Sequence, residues 1–156
     1  MAAAADTRWY EDRTAWRLVA SRYLPLLAGF NLAWEIGHMP LYTLWKEGEP
    51  GYIAFSILHC TVGDVMIGTG ALAAALLLAR ARAAATWNWL AIASIATALG
   101  LAYTLFSEWL NTEVRGAWAY GSAMPVVRLG GLEFGVTPML QWLLLPPLAL
   151  WLARRA

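Results

Sequence analysis

Four stretches of this chain are apolar for about the length a helix needs to cross a bilayer, roughly 20 residues at about 1.5 Å each. They cover residues 18–42, 52–78, 86–110 and 137–153. Hydrophobic residues make up 60% of the 156 and charged residues only 13%, about half the charged share of a soluble domain. So small a domain leaves much of its surface outside any core, so the surplus apolar surface calls for lipid as its solvent. The expected fold is an all-α integral membrane bundle of four transmembrane helices, a single domain over residues 1–156. Its connection 111–136 should form an outer loop or cap, because a linker of that length usually has structure or work of its own. Thr137 before Pro138 reads as the cap of the last helix. Pro146 and Pro147 read as a kink in that helix, and Pro25 and Pro40 as bends in the first.

Orientation follows from the basic residues. With four crossings, one side carries Arg8, Arg13, Arg17, Arg22, Arg80, Arg82, Arg154 and Arg155, and the other only Lys46, Arg115 and Arg128. Both termini are therefore expected in the cytoplasm. Asp6, Glu11 and Asp12 interrupt the basic start as no cleavable leader would, so the first apolar stretch reads as a retained helix. Arginine-for-lysine usage and abundant alanine point to a GC-rich bacterial genome, so the expected location is a bacterial inner membrane. The net charge of +1 and the lack of a basic helix argue against nucleic acid. Membrane lipid is the expected partner. The lone Cys60 excludes an intramolecular disulfide.

Ionisable groups within lipid are costly, so each asks for a reason. With alternating helices, Asn31, Glu35 and His38 of the first, Ser56, His59 and Asp64 of the second, Thr104, Glu108 and Asn111 of the third and Gln141 of the fourth all fall in the outer half. Asn31, Glu35 and His38 share one helical stripe, and Thr104, Glu108 and Asn111 another. His59 and Asp64, five apart, face different neighbours. Glu35, His38, His59, Asp64 and Glu108 are thus candidates for general acid–base chemistry. Asn31, Asn111, Arg115, Trp118 and Gln141 are candidates for holding a substrate, with Arg115 placed to pair with Glu108 or Glu113. An apolar molecule entering from the lipid, isoprenoid or sterol-like, would suit such a site.

Glu35 and His38 form an E-x-x-H pair, a spacing that puts carboxylate and imidazole on one helix face in bundle metal proteins. With His59 and Glu108 it could hold a transition metal. Haem is disfavoured, because His59 lies about 10 Å deeper than His38 by the helical rise. Two further readings stand beside the enzyme. In one, the polar cluster only fixes the bundle of a non-catalytic subunit or assembly factor. In the other, the chain is a proton- or metal-coupled carrier, and a homodimer is then expected because four helices make a narrow pathway.

The segments Trp34-Glu-Ile-Gly-His-Met-Pro-Leu-Tyr42, His59-Cys-Thr-Val-Gly-Asp64 and Glu108-Trp-Leu-Asn111 through Met124-Pro125 resemble a family of small bacterial polytopic membrane proteins. That resemblance implies a fold and no activity. The combination of Glu, His, Asn and Trp in a four-helix membrane unit is also similar to the EXPERA group, which includes sterol isomerases, although the spacings differ. The similarity implies chemistry on a lipid-like substrate.

Overall fold

The computed structural model describes residues 7–155. After a 3-10 turn at Trp9–Glu11, helix α1 (Arg13–Leu18) passes through a π-helical turn, Val19–Tyr23, into α2 (Leu24–His38). The π turn has a cause in the sequence. Pro25 has no N–H, and its ring would strike the carbonyl of Ser21 in a regular helix. Widening the turn lets the Leu24 N–H reach back five residues to the Val19 carbonyl. Pro40 lies in the 3-10 turn Met39–Leu41 that ends the helix, so the first long helix stops at His38 and not at 42.

A short helix, α3 (Leu44–Glu47), leads to α4 (Pro50–Leu78), which begins on a proline with its φ already helical. Helix α5 (Trp89–Trp109) is capped by the Asn88 side chain, which accepts from the Ala91 N–H at 3.1 Å, and it runs on into a second π turn, Leu110–Val114. Helix α6 (Val136–Ala153) continues through Pro146 and Pro147. Thr137 is not its cap. The helix starts one residue earlier, with the Val136 N–H on the Pro125 carbonyl, and the Thr137 hydroxyl turns inward instead.

The connection 111–136 contains an antiparallel hairpin that the all-α expectation left out. Strand β1 (Val126–Leu129) pairs with β2 (Leu132–Gly135) across Gly130 and Gly131, whose φ angles are +58° and +85°. Both loop positions need positive φ in a turn that matches strand twist, and glycine supplies it without a clash.

Helices α2, α4, α5 and α6 form a four-membered ring, each packed on two neighbours. They alternate in direction: Arg22 lies by Ala153, and Tyr23 donates to the Gly68 carbonyl. One end of the ring gathers α1, the 79–88 turn and the C-terminal residues. The other end carries the hairpin. The apolar core lies toward the first end, around Tyr23, Leu27, Leu72, Leu76, Ile92 and Leu150, with alanines allowing close approach. At mid-height the Trp142 ring fills the space beside Gly100, where any Cβ would overlap it.

Among the described residues, three helices are long and apolar enough to cross a membrane: Pro50–Leu78, Trp89–Val114 and Val136–Ala153. Their outward faces are apolar too, as Phe55, Leu58, Val62 and Met66 show along α4. The first helix differs. Its inner face carries Asn31, Glu35 and His38, and its outer face carries Pro25, Gly29 and Gly37, so its mean hydropathy is lower.

Asp12 ties the first end together. It caps α1 by accepting from the Thr14 N–H at 2.8 Å, and it accepts from the Ala84 N–H of the 79–88 turn at the same distance. The Ala84 bond holds its carboxyl below the ordinary aspartate range. A lowered value adds stability that is complete above about pH 4 and is lost as the pH falls through the lowered value. Asp12→Ala should cost about 1 kcal/mol, as cap losses do, and should flatten that acid limb in thermal melts. Gly100→Ala should lower stability by about 1–3 kcal/mol, the usual cost of forcing a methyl into a packed core, checked by the same melts.

Candidate functional site

Gln141 of α6, 3% exposed, is the hub of a buried polar layer. Its Nε2 donates to Asn31 Oδ1 of α2 at 2.8 Å and to Asp64 Oδ2 of α4 at 2.7 Å, and it stands 3.3 Å from Glu35 Oε1. An amide nitrogen has two protons, and the two short bonds use them. Glu35 Oε1 takes its donor from His38 Nε2, 3.2 Å away and three residues on in the same helix. Asn31 in turn donates to the Leu27 carbonyl at 2.8 Å. Three helices are thereby joined at one level by side chains that no water needs to satisfy.

His38 continues the chain of contacts toward the cap. Its Nδ1 lies 3.4 Å from Thr137 Oγ1, whose hydroxyl donates to Met124 Sδ at 3.3 Å. The imidazole meets the Tyr42 ring edge-on at 5.4 Å between centroids. A ring with an acid at one nitrogen and a hydroxyl at the other can pass a proton between them.

Glu108 of α5 forms the second anchor, 5% exposed. It accepts a hydrogen bond from the Tyr120 hydroxyl, and the same oxygen of Tyr120 accepts from the Gly135 N–H at 3.0 Å. Around this point the cap is stitched to the end of α2. The Thr43 N–H donates to the Ala119 carbonyl at 3.0 Å and the Gly121 N–H to the Leu41 carbonyl at 2.7 Å. Burial first, and then the bond to Glu108, hold the Tyr120 phenol well above its ordinary range. Tyr120 therefore stays a proton donor at any pH the protein meets. The stability it adds is whole below about pH 10 and is lost only as the pH rises through the raised value.

Between these anchors is a cavity of about 410 Å³. Its back wall is Glu35, His38, Gln141 and Trp142, its roof Trp118 and Ala117, and its flank the upper parts of α4 and α5. Tyr52, Phe55 and His59 of α4 and Tyr103 of α5 line it and are also exposed, so the mouth lies between those two helices on the side of the bundle. The Trp118 indole N–H is buried there and leans toward Glu108 without closing a hydrogen bond.

Most of the residues singled out in the sequence meet here. Glu35, His38, Asp64, Glu108, Trp118 and Gln141 line the cavity, and Asn31 supports it from behind. His59 stands at the mouth, stacked on Phe55 at 5.5 Å, apart from the Glu35–His38 pair. Among the described residues no three His, Cys, Asp or Glu side chains converge as a metal would need, so the set Glu35, His38, His59 and Glu108 does not form a centre. Asn111 is turned back on its own helix, donating to the Ser107 carbonyl at 2.8 Å. Arg115 is exposed outside the cavity and forms no ion pair with Glu108 or Glu113 among the described residues, because Tyr120 occupies Glu108. Sequence reasoning missed Tyr120, Thr137 and Trp142, which only the folded cap and the antiparallel packing bring in.

No protein-family model matches the chain, and no curated protein or solved structure matches it either.

Tyr120→Phe should lower stability by about 1–3 kcal/mol, the cost of leaving a buried acceptor unpaired. It should also loosen the hairpin, seen as faster amide exchange at Gly135. Gln141→Leu keeps the volume but strands Asn31 and Asp64. A loss of about 1–3 kcal/mol is expected for each polar group left unpaired, measured by thermal unfolding in detergent.

Proposed function

We propose that this chain is a multi-pass membrane protein of a bacterial inner membrane that takes a lipophilic small molecule from the bilayer and exchanges protons with it. The cavity carries this reading. It opens sideways between α4 and α5, where their outward faces are apolar, and its inner wall brings Glu35, His38 and Asp64 together. A cavity of about 410 Å³ falls within the range that small-molecule sites occupy, about 300–1,000 Å³.

In this reading α2 with its preceding π turn is a fourth span. Buried polar side chains explain its lower hydropathy, because they face the cavity and not lipid. The arginine-rich end of the ring then lies in the cytoplasm with both termini, and the hairpin caps the outer face. Glu35 and His38, in contact at 3.2 Å, form the proton-exchanging pair, with Asp64 as the second acid. Gln141 holds the acids in register, and Trp118 and Trp142 bound the apolar part of the molecule. The expected chemistry is proton transfer, such as an isomerisation, which needs no redox partner.

Native mass spectrometry of the protein extracted from its own membrane tests this. The wild type should retain a lipophilic molecule, and after incubation in D2O that molecule should gain carbon-bound deuterium. Glu35→Gln should retain it and reduce deuterium gain by about a hundredfold or more, the usual worth of a positioned acid or base. A bound molecule that gains no carbon-bound deuterium in the wild type would leave a binding protein without acid–base activity, and unchanged exchange in Glu35→Gln would remove Glu35 from the chemistry. The fourth span has its own test. With Cys60 changed to Ser, single cysteines at Thr14 and Glu47, which flank α2 on either side, should react with a membrane-impermeant maleimide from opposite faces of the membrane, and reaction of both from one face would remove α2 as a span.

A further inference from the structure

The charge balance of the cavity points to the kind of molecule it holds. Three carboxyl side chains, Glu35, Asp64 and Glu108, line it, and no Lys or Arg does so among the described residues. The only basic groups on its surface are the imidazoles of His38 at the back and His59 at the mouth. His38 is already engaged by Glu35 and His59 by the Phe55 ring. Asp64 accepts from the Gln141 amide and shares a hydrogen bond with the Glu35 carboxyl, and neither partner brings a countercharge. Acidic groups held out of water are strongly stabilised by a positive charge brought to them, and little by a neutral one.

The remaining walls reinforce the same preference. Tyr52, Phe55, Tyr103 and Trp142 present aromatic surface around the acids. Ring faces attract cations whose charge is spread over an apolar shell, and desolvated pairs of this kind are worth roughly 2 kcal/mol. An anion would meet carboxylates and ring faces together, both unfavourable. We propose that the cavity binds a lipophilic cation, an ammonium-type charge carried on an apolar body, with Asp64 and Glu108 as its charge partners and Tyr52, Phe55 and Trp142 as its aromatic walls. This rests on the cavity reading above and adds the sign of the ligand's charge.

Isosteres of different charge test it on the unaltered protein, so no variant has to fold for the answer to count. Radiolabelled tetraphenylphosphonium, tetraphenylsilane and tetraphenylborate share a shape and carry charges of +1, 0 and −1. Their binding to protein in phosphatidylcholine nanodiscs is measured against empty discs. The cation should bind at one site per chain at least tenfold tighter than the silane, and the borate more weakly than either. Asp64→Asn should remove most of the cation's advantage while leaving silane binding within twofold. Equal binding of all three, or a preference for the borate, overturns the charge assignment and leaves a cavity for neutral lipophiles. Binding of none of the three above the empty discs overturns the cavity reading itself, and the charge assignment with it.

Discussion

One side-chain amide holds the upper half of this molecule together. A bundle whose surfaces are apolar cannot bury Asn31, Glu35 and Asp64 unless each finds a partner, and the cost of failing is several kcal/mol in hydrocarbon. Gln141 reaches all three from α6, two of them at 2.7–2.8 Å. Its donors converge because α6 runs antiparallel to α2, which sets residue 141 at the height of 31 and 35. Helix direction, helix register and the hydrogen-bond count therefore agree on a single arrangement. Shifting α6 by one turn, about 5.4 Å, would leave every acceptor empty.

That constraint divides the bundle in two. Toward the arginine-rich end the contacts are alanines and leucines, the helices approach closely, and Asp12 locks the first turn to the 79–88 turn. Toward the cap the side chains are larger and polar, and the space between them is the cavity. The hairpin does not span this space by packing alone. It hangs on Tyr120, which bonds Glu108 on one side and the backbone of Gly135 on the other. Backbone bonds from Thr43 to Ala119 and from Gly121 to Leu41 hold the same cap against the end of α2.

Much of this was legible in the residues. Apolar runs located the four long helices to within a few residues, and the stripe Asn31–Glu35–His38 pointed to the face that lines the cavity. His59 and Asp64, five residues apart, both line the cavity, with His59 stacked on Phe55 of its own helix and Asp64 bonded to Gln141 of α6. Elsewhere the sequence carried the information in a form that segment-by-segment reading passes over. Gly130-Gly131 between two short β-prone runs is a hairpin signature, yet a connection inside a helical protein does not invite that reading. Pro25 announced a bend but not that a π turn would absorb it. The partner of Glu108 was unreadable for a plain reason. Arg115 is nearer in sequence and opposite in charge, but the π turn points it outward, and a tyrosine twelve residues on takes its place. Loop geometry, not residue type, decides that contact.

Everything proposed here for the site depends on the cavity being open to the bilayer. An uncharged diazirine-bearing fatty alcohol can be photolysed in membranes containing the protein and its sites of insertion mapped by peptide sequencing. Trp142 is 3% exposed and faces the interior, so lipid can reach it only by entering between α4 and α5. Insertion at Trp142 and Tyr103, as well as at the outward residues Met66 and Leu90, is the expected result. Heavy insertion at Met66 and Leu90 with none at Trp142 would contradict it, because the space between the helices would then be closed to lipid.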